Sequence, residues 1–404
     1  MRRRLRDLDG RVLAGAILVV FLVVLLSFRA ANGTTPWAHV GVEPGDKSFA
    51  DLRSVTSAWD CQRKGIQAFP NNPCDPFHRP ANYPRIWIQL GRVGLGENDT
   101  VPLGIAIAVL FFVSALAVTG PLKPWEGAVY GAALIAPATM LGVERGNVVL
   151  SVFALVVLGV LLVRRNAWAG AAPIVLAGIL KLFPAFAVVV LLRLRRRWPA
   201  ALASIVVLGV YVLATLQDIR TLRHVIPRVV VNSYGAGVVV EALRLAGVSW
   251  VQTAAEVRYV RIAVIGLAAL LALALLVAGR GDGGFDARRI DAFWAGAAIY
   301  LGTYVFGNNF DYRLAFLLLC IPQLCAWSQR GGSPAPWPAA ALGALVTTLW
   351  LSSAVPPLPF GLQSWYVKLS FPPEEVLNWL LFAWLGAALA AGLLTAVRRR
   401  AYSA

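Results

Sequence analysis

The chain is poor in almost everything that makes a water-soluble surface. Only 14% of its 404 residues are Asp, Glu, Lys or Arg, while 58% are hydrophobic. So few ionisable groups cannot cover a folded chain of this size, which excludes an ordinary soluble enzyme and implies a protein solvated by a bilayer. Histidine is limited to three residues and cysteine to four, which argues against a zinc site. No G-x-x-x-x-G-K-[ST] run is present to cradle a nucleotide phosphate, and no soluble domain interrupts the apolar segments. Acidic residues number 20 against 37 Lys and Arg, a formal charge of +17. The basic residues fall in short clusters between apolar runs, where they suit the anionic cytoplasmic face of a membrane, and this distribution argues against nucleic acid as a partner.

Those clusters set the expected topology. Arg2, Arg3, Arg4 and Arg6 precede an apolar run from Val12 to Phe28, expected as a retained first span because no cleavage pattern of the A-x-A kind follows it. Later runs meet Lys123, Arg164 and Arg165, Arg193 with Arg195 to Arg197, Arg280 with Arg288 and Arg289, Arg330, and Arg398 to Arg400. An even number of crossings must separate neighbouring clusters. Residues 168–192 are basic at both ends, so they are expected to fold as a helical hairpin turning at "KLFP", Lys181 to Pro184, where the proline disfavours a continuous helix. The expectation is one all-α, polytopic membrane domain over residues 1–404, with about twelve membrane segments and both termini cytoplasmic. Residues 32–100 then form a first outer loop and 218–260 a second, and polar tips near 143–147, 181, 307–313 and 354–375 share the outer face.

What is present against this apolar background is concentrated on that face. Asp51 opens a polar insert soon after the first span, where Phe49, Leu52 and Trp59 could shelter it and raise its basicity; the alternative is a carboxylate at a helix start with no chemical role. Cys61 and Cys74 enclose twelve residues and on an oxidising face read as a disulfide, whereas in the cytoplasm they would be free thiols. Cys320 and Cys325 fall in an apolar segment and read as packing residues. In "GVERGNVVL", Glu144, Arg145 and Asn147 stand between two apolar helices, and Arg145 there needs a partner, either Glu144 or Asp51, or an anionic ligand. Lys181, alone in its hairpin, demands a carboxylate or a phosphate. "FGNNFDYRL" supplies Asn308, Asn309, Asp311, Tyr312 and Arg313, and the second loop supplies Arg220, Arg223, His224, Arg228, Asn232, Ser233 and Tyr234. Together these are carboxylates, cations and amides, the set a sugar phosphate requires.

The order of these motifs resembles glycosyltransferase family 87, a group with the GT-C fold that includes actinobacterial polyprenyl-phosphate-mannose-dependent mannosyltransferases. The resemblance is carried by "FADLRSVTSAW", the later "NYP" containing Tyr83, "ERGNVVLSVFALV", "GILKLFPAFAVVVLLRLRRRW" and an Asn-Ser turn, over residues 12–330. It implies that Asp51 is the general base in the first outer loop, that Lys181 faces the lipid phosphate, and that Asn232 and Ser233 belong to the family's later outer turn. Two departures stand out: Arg53 replaces a frequent His, and "NNFDYR" lies where a His is often found.

The reading that follows is an inverting membrane glycosyltransferase. Its donor is a polyprenyl-phosphate sugar, mannose-type, and its acceptor a lipid or glycan of the cell envelope. Asp51 is its base, Lys181, Arg145 and Arg313 hold the donor phosphate, and Asn147, Tyr83, Asn232, Ser233 and Asp311 line the substrate site. No metal and no cofactor are expected. The rivals are a lipid or small-molecule transporter or flippase, in which Lys181 and Arg145 would couple to substrate, and a noncatalytic assembly protein. A transporter would be expected to show paired repeats, and none is evident.

Overall fold

A computed structural model describes residues 9–32, 36–226, 230, 232–245, 247–249, 253–278, 286–329, 336–351 and 371–401. Arg2 to Arg6, Arg228, Arg280, Arg330 and most of the expected tip at 354–375 lie outside the described residues.

The described chain is all-α apart from one two-stranded contact. Apart from a five-residue helix at Arg85–Gln89, its helices are α1 (Gly10–Asn32), α2 (Ala50–Arg63), α3 (Thr100–Val118), α4 (Pro124–Leu134), α5 (Pro137–Arg145), α6 (Val149–Leu162), α7 (Ala167–Leu180) and α8 (Val189–Leu192). They continue with α9 (Trp198–Ala214), α10 (Leu216–Val225), α11 (Val238–Leu245), α12 (Ala254–Ala278), α13 (Ala287–Phe306), α14 (Ile321–Ser328), α15 (Pro336–Leu351) and α16 (Phe371–Ala401). Strands β1 (Ser233–Tyr234) and β2 (Asn309–Phe310) pair antiparallel, Ser233 opposite Phe310.

Three stretches are long and apolar enough to cross a bilayer: Gly10–Asn32, Glu97–Val118 and Pro373–Ala396. Two bent pairs, α4 with α5 at 50° and α9 with α10 at 69°, raise the number to five. Among the described residues there are thus three to five full-length candidate spans, beside several shorter apolar helices: α6, α7, Phe183–Leu192 and α15. Prolines account for two of the interruptions. Pro137 opens α5 directly after the bend, and Pro184 opens the 3₁₀ turn Phe183–Val188, because a proline ring forbids the preceding helical hydrogen bond. Val19, Val20, Val23 and Val24 on α1, Ile105, Val109 and Val113 on α3, and Leu202, Ile205, Val206 and Val210 on α9 all point outward. Faces of that kind suit hydrocarbon and not water, so the chain reads as a membrane protein.

Inside, the Phe111, Phe153 and Phe316 rings join α3, α6 and the 3₁₀ helix Asp311–Leu319 in edge and tilted contacts. α1 meets α4 at Gly10 and Gly127, where an added Cβ on Gly127 would lie 2.0 Å from the Gly10 carbonyl oxygen. At one end of the bundle, ion pairs tie helices together: Asp291 with Arg193 at 2.6 Å and Arg197 at 3.3 Å, and Glu126 with Arg289 at 3.0 Å. Asp291, Glu126 and Arg197 are buried, and buried charges persist only when paired in this way. From these basic ends α7 and α13 run to Lys181 and to the "GNNFDYR" junction, so the opposite end collects the polar tips. At Lys181 the chain reverses, and Phe183–Val188 packs back on α7, where a Cβ on Gly178 would stand 3.3 Å from that of Ala185.

This reversal generates a labelling prediction. Arg165→Cys and Arg196→Cys should react with a membrane-impermeant maleimide from one face, and Glu43→Cys from the other. If positions 165 and 196 label from opposite faces, the hairpin is wrong.

Candidate functional site

The site is built on the start of α2. Phe49, just before it, has φ +58 and ψ 45, a left-handed backbone that side chains resist. It is held there by its N–H donating to the Glu144 carbonyl at 3.2 Å. Its ring also lies over Gly104 and Gly146, where an added Cβ would come within 2.6 Å and 2.8 Å of Phe49 atoms. Gly146 itself has φ +58 and ends α5, so glycine there provides both the helix stop and room for Phe49. The result is a fixed entry to α2 with Asp51 in its first turn.

Three segments converge on the Asp51 carboxylate. Asn147, completely buried between α5 and α6, donates from Nδ2 to Asp51 Oδ2 at 2.6 Å. The same amide nitrogen lies 3.4 Å from the Tyr83 hydroxyl. Asn147 Oδ1 accepts from the Val149 N–H at 3.0 Å and from Lys181 Nζ at 3.4 Å. Lys181 Nζ also stands over the Tyr83 ring at 4.8 Å and the Tyr312 ring at 5.7 Å, so aromatic faces and one amide oxygen receive its charge. Burial, with the Asp51 charge close by, pushes the Tyr83 phenol well above its ordinary value; Tyr83 is a neutral O–H and not a second base.

The cations divide into two groups. Arg313 is near enough for its charge to bear on Lys181 and Tyr83, stacks over Phe183 at 4.9 Å and donates to Asn309 Oδ1. Arg145 stands at the rim, 3.2 Å from Glu144 and 3.9 Å from Glu43. Of the two partners open to Arg145 in the sequence, the structure takes Glu144 and gives Asp51 a different cation. Glu43 continues the rim by accepting from Asn232 Nδ2 at 2.8 Å, and Asn232, at φ +57, accepts the Asp311 N–H on its carbonyl at 3.0 Å. Asn232, Ser233 and Asp311 therefore form a wall through β1 and β2, with Ser233 and Asp311 buried. Arg53 turns away, donating to Glu97 and to the Ser48 carbonyl, each at 3.0 Å.

The cation facing Asp51 is Arg79, which sequence reasoning missed. Its Nη1 lies 3.5 Å from Asp51 Oδ1. Cys61 and Cys74 are joined as a disulfide, and the next residue, buried Asp75, grips Arg79 through Nε at 2.9 Å and the backbone N–H at 2.8 Å. The run Cys74-Asp75-Pro-Phe-His-Arg79 carried one readable signal, an acid and a base four apart inside a clamped loop. Tyr312 was seen only as part of a motif, Phe49 only as a shelter for Asp51, and Glu43 had no visible role. Asp60 is bonded to Arg63 and accepts the Glu97 N–H at 3.0 Å, a loop anchor.

This geometry places the Asp51 carboxylate between Arg79, at 3.5 Å, and the Asn147 amide that also carries Lys181. Among the described residues no three His, Cys, Asp or Glu side chains are grouped to hold a metal. Compared with protein-family models, curated proteins and solved structures, the chain matches none.

Two outcomes follow. Under denaturing, non-reducing conditions Cys61 and Cys74 should resist a thiol reagent until reductant is added; full labelling without reductant would refute the bond. Gly146→Ala should cost about 1–3 kcal/mol through its positive φ and the contact with Phe49, visible as a lowered unfolding temperature in detergent. An unchanged melt would show that Phe49 does not depend on this contact.

Proposed function

We propose that the protein is an inverting membrane glycosyltransferase of the GT-C kind, resembling family 87. It moves a mannose-type sugar from a polyprenyl phosphate to a cell-envelope lipid or glycan on the outer face. In this reading it has about twelve membrane segments and both termini in the cytoplasm. The observation that supports it most is the placement of a carboxylate and an ammonium on the two ends of one buried amide, with Asp51 on Asn147 Nδ2 and Lys181 on Oδ1. A base and a phosphate-binding cation are thereby held side by side without neutralising each other.

The acceptor hydroxyl gives its proton to Asp51 as its oxygen bonds to the anomeric carbon. The bond from that carbon to the phosphate oxygen breaks, and the electron pair leaves with the polyprenyl phosphate. Lys181 and Arg313 stabilise that leaving oxygen. Single displacement needs one carboxylate, which matches a recess with Asp51 as its reacting acid and a neutral Tyr83. Arg145, paired with Glu144 and Glu43, serves the rim, and Asn232, Ser233 and Asp311 shape the sugar-facing wall. No metal or cofactor takes part in this scheme.

Purified protein in proteoliposomes should transfer radiolabelled mannose from polyprenyl-phosphate mannose, with EDTA present. Asp51→Asn should lower turnover about 10²- to 10⁴-fold while donor binding is kept, and Asp60→Asn should cost far less. Lys181→Met removes a charged phosphate contact worth about 1.5–3 kcal/mol and should raise the donor KM. If Asp60→Asn abolishes transfer while Asp51→Asn keeps it, the base is misassigned. If no substitution matters, or the wild type moves donor across the bilayer without transfer, the glycosyltransferase reading fails.

A further inference from the structure

Resting on that reading, we infer that Arg79 and Asp51 together form the acceptor subsite, and that it selects a neutral vicinal diol of a sugar ring. The first observation is a division of labour within the Asp51 carboxylate. Oδ2 is taken by Asn147 at 2.6 Å on the Lys181 side, whereas Oδ1 faces Arg79 Nη1 at 3.5 Å, beyond hydrogen-bond reach. Oδ1 is therefore the oxygen left to accept a proton, and the hydroxyl that delivers it must arrive beside Arg79.

The second observation is how Arg79 spends its donors. Nε bonds Asp75 Oδ2 at 2.9 Å, and Nη2 bonds Asp75 Oδ1 at 3.1 Å and the Ala50 carbonyl at 2.7 Å. The guanidinium also stacks on Phe77 at 4.6 Å, which fixes its plane. Among the described residues Nη1 makes no hydrogen bond, and the side chain keeps 32% of its surface open. An arginine anchored along Nε and Nη2 and open along Nη1 is a preorganised donor, aimed at whatever oxygen neighbours the hydroxyl on Oδ1.

Charge decides the chemistry of that oxygen. On this flank Arg79 is opposed by two carboxylates, Asp75 and Asp51, so the sum is one negative charge and a second anion is disfavoured. A phosphate belongs with Lys181 and Arg313 instead. A neutral oxygen adjacent to the reacting hydroxyl, as in a sugar cis-diol or trans-diol, can accept from Nη1 while its neighbour donates to Oδ1. The acceptor hydroxyl beside Asp51 and Arg79 can then attack one face of the anomeric carbon while the phosphate, held by Lys181 and Arg313, leaves from the other, as in-line displacement requires.

The test uses full-length protein, polyprenyl-phosphate mannose as donor, and as acceptors octyl α-mannoside and its monodeoxy analogues. For the wild type, one deoxy analogue beside the reacting hydroxyl should show acceptor KM raised about 10- to 100-fold. Arg79→Gln should raise KM for the parent mannoside by a similar factor, leave the donor KM unchanged, and add no further loss with that analogue. Arg79→Lys, which keeps the charge but not the open Nη1 pair, should lose the same discrimination; it carries the test if the Gln variant does not fold. Additive losses, or a rise in donor KM instead, would overturn the acceptor role. A wild type that transfers to no sugar acceptor would instead overturn the glycosyltransferase reading itself.

Discussion

Asn147 is the residue on which the rest of the site depends. An amide is neutral, yet it offers a donor at one end and an acceptor at the other, so it can hold a carboxylate and an ammonium in one low-dielectric recess. A direct Asp51–Lys181 pair would have satisfied both charges and left nothing for a substrate. Interposing Asn147 keeps them apart, and the interposition works only because Asn147 is immobile: its Oδ1 also takes the Val149 N–H, and Gly146 sets the turn beneath it. Phe49, wedged against Gly104 and Gly146, and the Tyr83 ring beside Lys181 pack on the two sides of this arrangement.

The bundle manages charge in the opposite manner at its other end. Asp291 receives Arg193 and Arg197 directly, and Glu126 receives Arg289. Those pairs are closed, and nothing further can be recognised by them. The contrast separates an end whose charges fasten helices from an end whose charges are kept available, and α13 joins the two, running from the paired Arg289 and Asp291 to the junction that carries Asn309 and Arg313.

Much of this division was legible in the sequence because it rests on composition and spacing. A lysine in an apolar run, a Gly-Asn step between helices and basic clusters at alternate helix ends are local facts, and they placed Lys181, Asn147, Arg313 and the Asn232–Ser233 turn on one face. The helical class followed from the same apolar runs. Helix lengths did not, because whether a run is one span or two short pieces depends on how Pro137 and Pro184 are packed. Arg79 was hidden for another reason: its role depends on a contact between loop and helix 28 positions apart, Arg79 to Asp51, and nothing periodic announces such a pairing. The partner of Arg145 was undecidable between Glu144 and Asp51 until Glu43 was seen to join it at the rim.

The disulfide between Cys61 and Cys74 reaches the site through its neighbours in the chain. The other two cysteines, Cys320 and Cys325, are buried in the bundle, so neither thiol is placed to exchange with that bond. Asp75 and Arg79 lie just beyond Cys74, and the closed loop helps to hold them beside Asp51. The oxidation state of one cysteine pair is therefore coupled to the position of the cation that faces Asp51, and a reducing environment would loosen that cation as well as the loop.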